Sequence, residues 1–140
     1  MTRVTGIAAS LTAAFALAGF VAAQAQQPAA PAAQTGFKRT VLQQADLSAP
    51  GREVVQALAE IQPGAQSGRH THPGEEVAYI VEGTVTLEIQ GKPSVLKKTG
   101  EAFIITPGTV HNARNAGSTV AKVLATYIIE KGKPPATPVP

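Results

Sequence analysis

Residues 64–83 read GAQSGRHTHPGEEVAYIVEG, and the reading of this stretch decides the fold. His70 and His72 flank a single residue. In an extended chain the side-chain period is two, so both imidazoles fall on one face. Glu76 comes four residues after His72, past a Pro73-Gly74 turn, and opens the apolar run Val77–Val81. The third and last histidine, His111, lies in residues 100–115, GEAFIITPGTVHNARN, directly after a Pro107-Gly108 turn. Taken singly, each of these histidines reads equally well as an ordinary core or surface residue. Taken together, three neutral imidazoles and one carboxylate suit a borderline divalent cation: Mn, Fe, Ni, Zn or Co.

Working outward, the chain is a series of short β-branched segments separated by Gly and Pro turns. Strands are expected at Lys38–Gln43, Val54–Ile61, Glu76–Val81, Val85–Ile89, Ala102–Ile105, Val110–Asn115 and Val120–Ile129. Turn signals recur between them at Pro50-Gly51, Pro63-Gly64, Pro73-Gly74, Gly83, Gly91, Gly100, Pro107-Gly108 and Gly117. Such spacing favours an antiparallel sandwich or barrel. REVVQALAEI (residues 52–61) has the Ala, Glu and Gln of an amphipathic helix. Its neighbours make it a strand, and no other segment of the domain requires a helix longer than a turn or two.

The stretch from Gly64 to Gly83 resembles the first cupin motif, G-x5-H-x-H-x3-E-x6-G, at Gly64, His70, His72, Glu76 and Gly83. Gly100 to Asn115 is similar to the second, G-x5-P-x-G-x2-H-x3-N, with Gly100, Gly108, His111 and Asn115 in place. Thr106 stands where that motif has proline, and the proline follows as Pro107. This departure is expected to alter the turn and to leave His111 where it is. The spacer between the motifs is short, as in compact single-domain members of the family. The resemblance implies an all-β fold, a small double-stranded β-barrel of jelly-roll type with antiparallel strands. It also implies one divalent ion inside one end, held by His70, His72, Glu76 and His111. Glu75 competes with Glu76, and both the motif spacing and strand parity favour Glu76.

Around that site, Asn112, Asn115, Thr71 and backbone carbonyls are candidates to hold the outer nitrogens of the histidines. Asn115 reads equally well as a turn residue before Gly117. Arg69 and Arg114 are candidates for orienting an anionic substrate, although a solvated charge is the plainer reading of each. Ala78, Ile80, Ala113 and Asn115, with Phe103 and Ile105, are expected to line the space beside the ion. Tyr79 and Tyr127 read as packing or interface residues.

The rest of the chain frames this domain. Its 140 residues suffice for one domain. Ile7–Ala23 is almost wholly apolar and ends in Ala23-Gln24-Ala25, so residues 1–25 read as a signal peptide, with a retained anchor as the alternative. Residues 26–36, QQPAAPAAQTG, form a flexible linker, residues 37–131 the barrel domain, and residues 132–140, GKPPATPVP, a proline-rich surface arm. The protein is thus expected to be periplasmic or secreted, with no stable membrane span once the leader is cleaved.

Without Arg3, 11 of the 12 Lys and Arg remain against 9 Asp and Glu, and they fall in scattered pairs rather than a stripe. Nucleic-acid binding is therefore not expected. With no cysteine, disulfides, thiolate metal sites and Cys nucleophiles are excluded. All three histidines are assigned, which leaves none for a Ser/His/Asp triad, and no phosphate loop is present.

The leading reading is a metal-dependent small-molecule enzyme. Family analogy points to dioxygenase-, isomerase- or lyase-like chemistry, and fold alone does not fix which. The alternatives are a non-catalytic metal- or ligand-binding or sensing module and a purely structural metal site. The partner is a small-molecule ligand or substrate. Val77, Tyr79 and Val81 form an outer apolar face suited to a homodimer.

Overall fold

The computed structural model describes residues 35–140. Residues 1–25, read above as a signal peptide, and all of the expected linker except Thr35 and Gly36 lie outside the described residues. Ten strands follow one another without a helix: β1 Phe37–Asp46, β2 Arg52–Ile61, β3 His70–Thr71, β4 Glu75–Glu82, β5 Thr84–Ile89, β6 Val95–Lys98, β7 Ala102–Ile105, β8 His111–Arg114, β9 Ala121–Glu130 and β10 Thr137–Pro138. They build two five-stranded sheets, ordered β1-β2-β9-β4-β7 and β10-β3-β8-β5-β6, with every pair antiparallel. The all-β, jelly-roll-like expectation holds. No ladder among the described strands joins the sheets, so the body is two sheets facing one another rather than a closed cylinder.

The ambiguous segment Arg52–Ile61 is strand throughout. Its ladder with β9 runs unbroken from Arg52↔Glu130 to Ile61↔Ala121. Val55, Ala57, Ala59 and Ile61 point into the core on alternate residues. Tertiary pairing overrides helix propensity here, because only a period of two buries all four. Ile80, Val85, Val123 and Ile129 complete the core. The middle of the first sheet is unusually small: Ala125 lies beside Ala57 on one side and Ala78 on the other. These alanines leave room between the sheets.

Three strands lie where none was expected: β3, β6 and β10. The proline-rich arm does not simply hang at the surface. Its end pairs with β3 through Thr137↔Thr71 and Pro138↔His70. Proline is tolerated because β10 is an edge strand. Val139 N–H adds a hydrogen bond of 2.9 Å to the Arg69 carbonyl.

Two glycines set the geometry near the histidines. A Cβ on Gly74 would collide with the Ile128 carbonyl oxygen, so glycine alone lets the turn before β4 press against β9. Gly108 has φ +71° and donates its N–H to the His72 carbonyl at 2.9 Å, tying the second turn to the first. Outside, Val77, Tyr79 and Val81 of β4 and Ile104 of β7 stand exposed on one face. No helix among the described residues is long and apolar enough to cross a membrane.

Candidate metal centre

The β3–β8 ladder places His70 opposite His111. Strand pairing thus joins two histidines separated by 40 residues of chain. His72 follows just past the end of β3, with its ring 4.8 Å from that of His70 and 4.9 Å from that of His111. The candidate ligand nitrogens of the three all lie within 4.8 Å of one another. Glu76 reaches in from the opposite sheet. Its Oε2 is 3.0 Å from His72 Nε2 and 3.2 Å from His111 Nε2. Glu75, at the first position of β4, is exposed, whereas Glu76 is buried. His70, His72, Glu76 and His111 are each at most 7% exposed.

The outer nitrogens show how the site is held. His70 Nδ1 donates to the Gly68 carbonyl at 2.7 Å, His72 Nδ1 to the Pro135 carbonyl at 2.5 Å and His111 Nδ1 to the Thr109 carbonyl at 3.0 Å. A carbonyl only accepts, so each Nδ1 carries its proton and each neutral ring turns a bare nitrogen inward. For His72 and His111 that bare nitrogen faces the carboxylate of Glu76. Acceptor then meets acceptor at hydrogen-bonding distance, an arrangement that calls for positive charge at its centre. Either added ring protons or one shared cation supplies it. Three nitrogens, each on a ring with its outer contact in place, and one carboxylate oxygen fit a borderline divalent ion.

The electrostatics agree. Burial pushes His70 down to about 4, and the His111 and His72 rings and Arg39 push the same way against the hydrogen bond to Gly68. Its imidazole is therefore neutral and available to a metal at neutral pH. Burial works to raise the Glu76 carboxyl. When the His111 and His72 rings take up a second proton, their hydrogen bonds and charges outweigh it and hold the group down at about 2. Burial, with the Glu76 charge beside it, raises the Tyr127 phenol. That ring packs on His72 at 4.7 Å between centroids, and Tyr127 is the cross-strand partner of Glu76.

The outer contacts differ from those proposed for Asn112, Asn115 and Thr71. Backbone carbonyls take all three Nδ1 protons. Asn112 instead bonds Gln66 and Glu88 through Nδ2 and accepts from Ser67. Asn115 is fully buried, donates to the Ile61 and Thr119 carbonyls and accepts from Gly117 N–H. It is a fold-closing turn residue. Arg114 is paired with Glu88 at 2.5 Å, while Arg69 is exposed at the edge of the site.

Beside His70, Glu76 and His111 lies a cavity of about 30 Å³. Of the six residues expected to line it, Phe103 and Ala113 do so. Ala78, Ile80 and Ile105 pack into the core instead. Leu87, Ala59, Ala125 and Val123 complete the apolar wall, and Phe37 and Arg39 of β1 close it on one side. The roles of Arg39 and Pro135 had not been anticipated, whereas Tyr127 packs as expected, here against His72. Parity along β9 marked Tyr127 as inward-facing, since Ala121, Val123 and Ala125 share its phase. Nothing local marked Arg39 or Pro135.

Comparison with known proteins agrees with this architecture. The family model described as Cupin domain matches residues 57–127. The HTH-type transcriptional regulator PuuR of Escherichia coli strain K12 is 28% identical over 79 residues, which are 56% of this chain and 42% of the regulator. The chain thus spans well under half the length of that relative. Among solved structures, a Klebsiella pneumoniae protein with a double-stranded beta-helix domain superposes with a TM-score of 0.61 at 19% identity, covering 72% of this chain and 84% of that one. The polyketide cyclase RemF of Streptomyces resistomycificus gives 0.59 at 24% identity, with 76% and 72% covered.

Proposed function

The chain belongs to the cupin domain family, and from that premise we propose that it is an exported metal-dependent enzyme acting on small molecules, dioxygenase-, isomerase- or lyase-like in class. His70, His72, Glu76 and His111 hold one divalent ion, Mn, Fe, Ni, Zn or Co. One observation carries the reading: all three Nδ1 protons are committed to backbone carbonyls, so the bare nitrogens of His72 and His111 face the Glu76 carboxylate, an arrangement that one shared cation satisfies.

A bound divalent ion supplies Lewis acidity toward a coordinated water or substrate oxygen. The residues of the chain do the rest. Gly68, Thr109 and Pro135 fix the tautomers. The apolar wall of Phe103, Leu87 and Ala113 excludes bulk water from one side of the site. Tyr127, with its raised pKa, stays protonated against His72 and covers that ring.

Elemental analysis of the purified protein, followed by a substrate screen restricted to the chemistry of the ion found, tests this. One ion per chain together with turnover supports the enzyme. A saturated, inert zinc site without turnover supports a structural role. The similarity to a transcriptional regulator favours a second reading, a non-catalytic metal- or ligand-binding or sensing module. In that case a small molecule raises the melting temperature without being converted. The exposed Val77, Tyr79, Val81 and Ile104 face supports a homodimer, which sedimentation analysis tests directly.

A further inference from the structure

Two guanidinium groups stand beside the cavity and the hollow that adjoins it. Arg39 leaves β1 and lies against the rings of Phe37 and Tyr127, 5.5 and 5.6 Å from their centroids. It lines the inner cavity together with His70 and Glu76. It also lines an adjoining outer hollow of about 150 Å³, whose wall includes Arg69, Phe37, Ala136 and Pro138. The two spaces share Phe37, Arg39, Ser67 and His70, so they adjoin one another beside the histidines.

The charges around these two spaces are unbalanced. Lys38, Arg114, Lys122 and Lys131 each pair with a carboxylate. Among the described residues, neither Arg39 nor Arg69 is part of an ion pair. Arg39 Nε is also buried without a hydrogen-bond partner. The only carboxylate lining either space is Glu76, and its charge is engaged by His72 and His111. A planar guanidinium outside any ion pair, with its Nε unpartnered, beside a partly apolar hollow, matches a carboxylate, which takes two parallel N–H bonds from one guanidinium.

We propose that Arg39 and Arg69 form a subsite for the carboxylate end of a small organic acid, whose apolar body lies on Phe37, Ala136 and Pro138 and whose other end faces His70 and His111. This deepens the reading of the cavity as a small-molecule site and rests on it. Phosphate fits less well, because it has no apolar body to lie on Phe37, Ala136 and Pro138.

Calorimetric titration of the full chain, zinc-loaded and EDTA-treated, with butyrate, butyramide and inorganic phosphate tests the assignment. Butyrate is expected to bind at least tenfold more tightly than butyramide and than phosphate, and to weaken as salt rises. Arg39→Gln and Arg69→Gln are each expected to erase most of that preference, and Arg39→Lys to restore part of it. Metal content and melting temperature should stay at the wild-type values in Arg69→Gln, an exposed position. Undetectable or equal binding of butyrate and butyramide overturns the proposal, as does tighter binding of phosphate, or full butyrate preference in both glutamine variants. The outcomes separate the two claims: an ion-loaded chain indifferent to butyrate ends this assignment alone. A chain that binds no ion yet prefers butyrate upholds it and ends the metal reading.

Discussion

His72 Nδ1 donates to the carbonyl oxygen of Pro135 at 2.5 Å, across 63 residues of sequence. The proline-rich arm therefore lends one backbone carbonyl to the site, while the arm itself stays exposed or half-buried, as its composition suggests. It is held there by the pairing of Thr137 with Thr71 and of Pro138 with His70.

Ending the chain after Lys133 removes that carbonyl and leaves the Gly132 N–H bond to Glu53 intact. His72 then has no fixed outer partner, and its ring is free to turn. Loss of such an outer contact typically lowers metal affinity by about 10- to 100-fold. Chelator competition on the shortened chain should show a loss of that size, with β-sheet content preserved.

In the metal-free protein, stability should fall on acidification in two stages. His70 titrates at 6.5 when unfolded and at about 4 when folded. Between those values the unfolded chain binds more protons, so the contribution of His70 is complete above pH 6.5 and is lost as pH falls toward 4. Glu76 follows: its folded value of about 2 lies below the unfolded 4.5, and its contribution is lost between them. The His70 stage is on the order of 3 kcal/mol. Urea denaturation at pH 7.5 and pH 4.5 reads it, and His70→Gln should remove the upper stage.

Gly74→Ala places a methyl group against the Ile128 carbonyl, a rigid neighbour. Overpacking of this kind costs about 1–3 kcal/mol. Because Gly74 sits two residues before Glu76, the same change should lower both melting temperature and metal affinity.

Asn115→Ala separates fold from site. It deletes three hydrogen bonds inside the protein, two to the Ile61 and Thr119 carbonyls and one from Gly117 N–H. Leaving such partners buried costs about 1–3 kcal/mol. Denaturation should show that loss, while metal content in the folded protein stays at the wild-type value.

The sequence made the sheet architecture legible wherever two conditions met: alternation long enough to bury a face, and a turn signal at each end. β2, β4, β5 and β9 satisfy both. β3 and β10, at two residues each, carry no period at all: β10 exists through its pairing with β3, and β3 through its pairing with β10 and β8. β6 was hidden because Val95 and Leu96 are exposed and give no inward phase. At the site, parity put His70 and His72 on one face, and the resemblance to the two cupin motifs implied that Glu76 and His111 join them. The outer contacts were not visible, because they come from backbone carbonyls, which every residue possesses. Arg39 escaped for a related reason: a cation on an edge strand looks solvated until the rings of Phe37 and Tyr127 are seen beside it.

The most direct measurement is the metal stoichiometry of the native full chain beside that of His72→Ala and His111→Ala. The account predicts about one divalent ion per chain in the native protein and a sharp fall in both variants, with the β-sheet signal retained. A native protein that holds no ion after incubation with Mn, Fe, Ni, Zn and Co in turn, or unchanged stoichiometry in both variants, would contradict it.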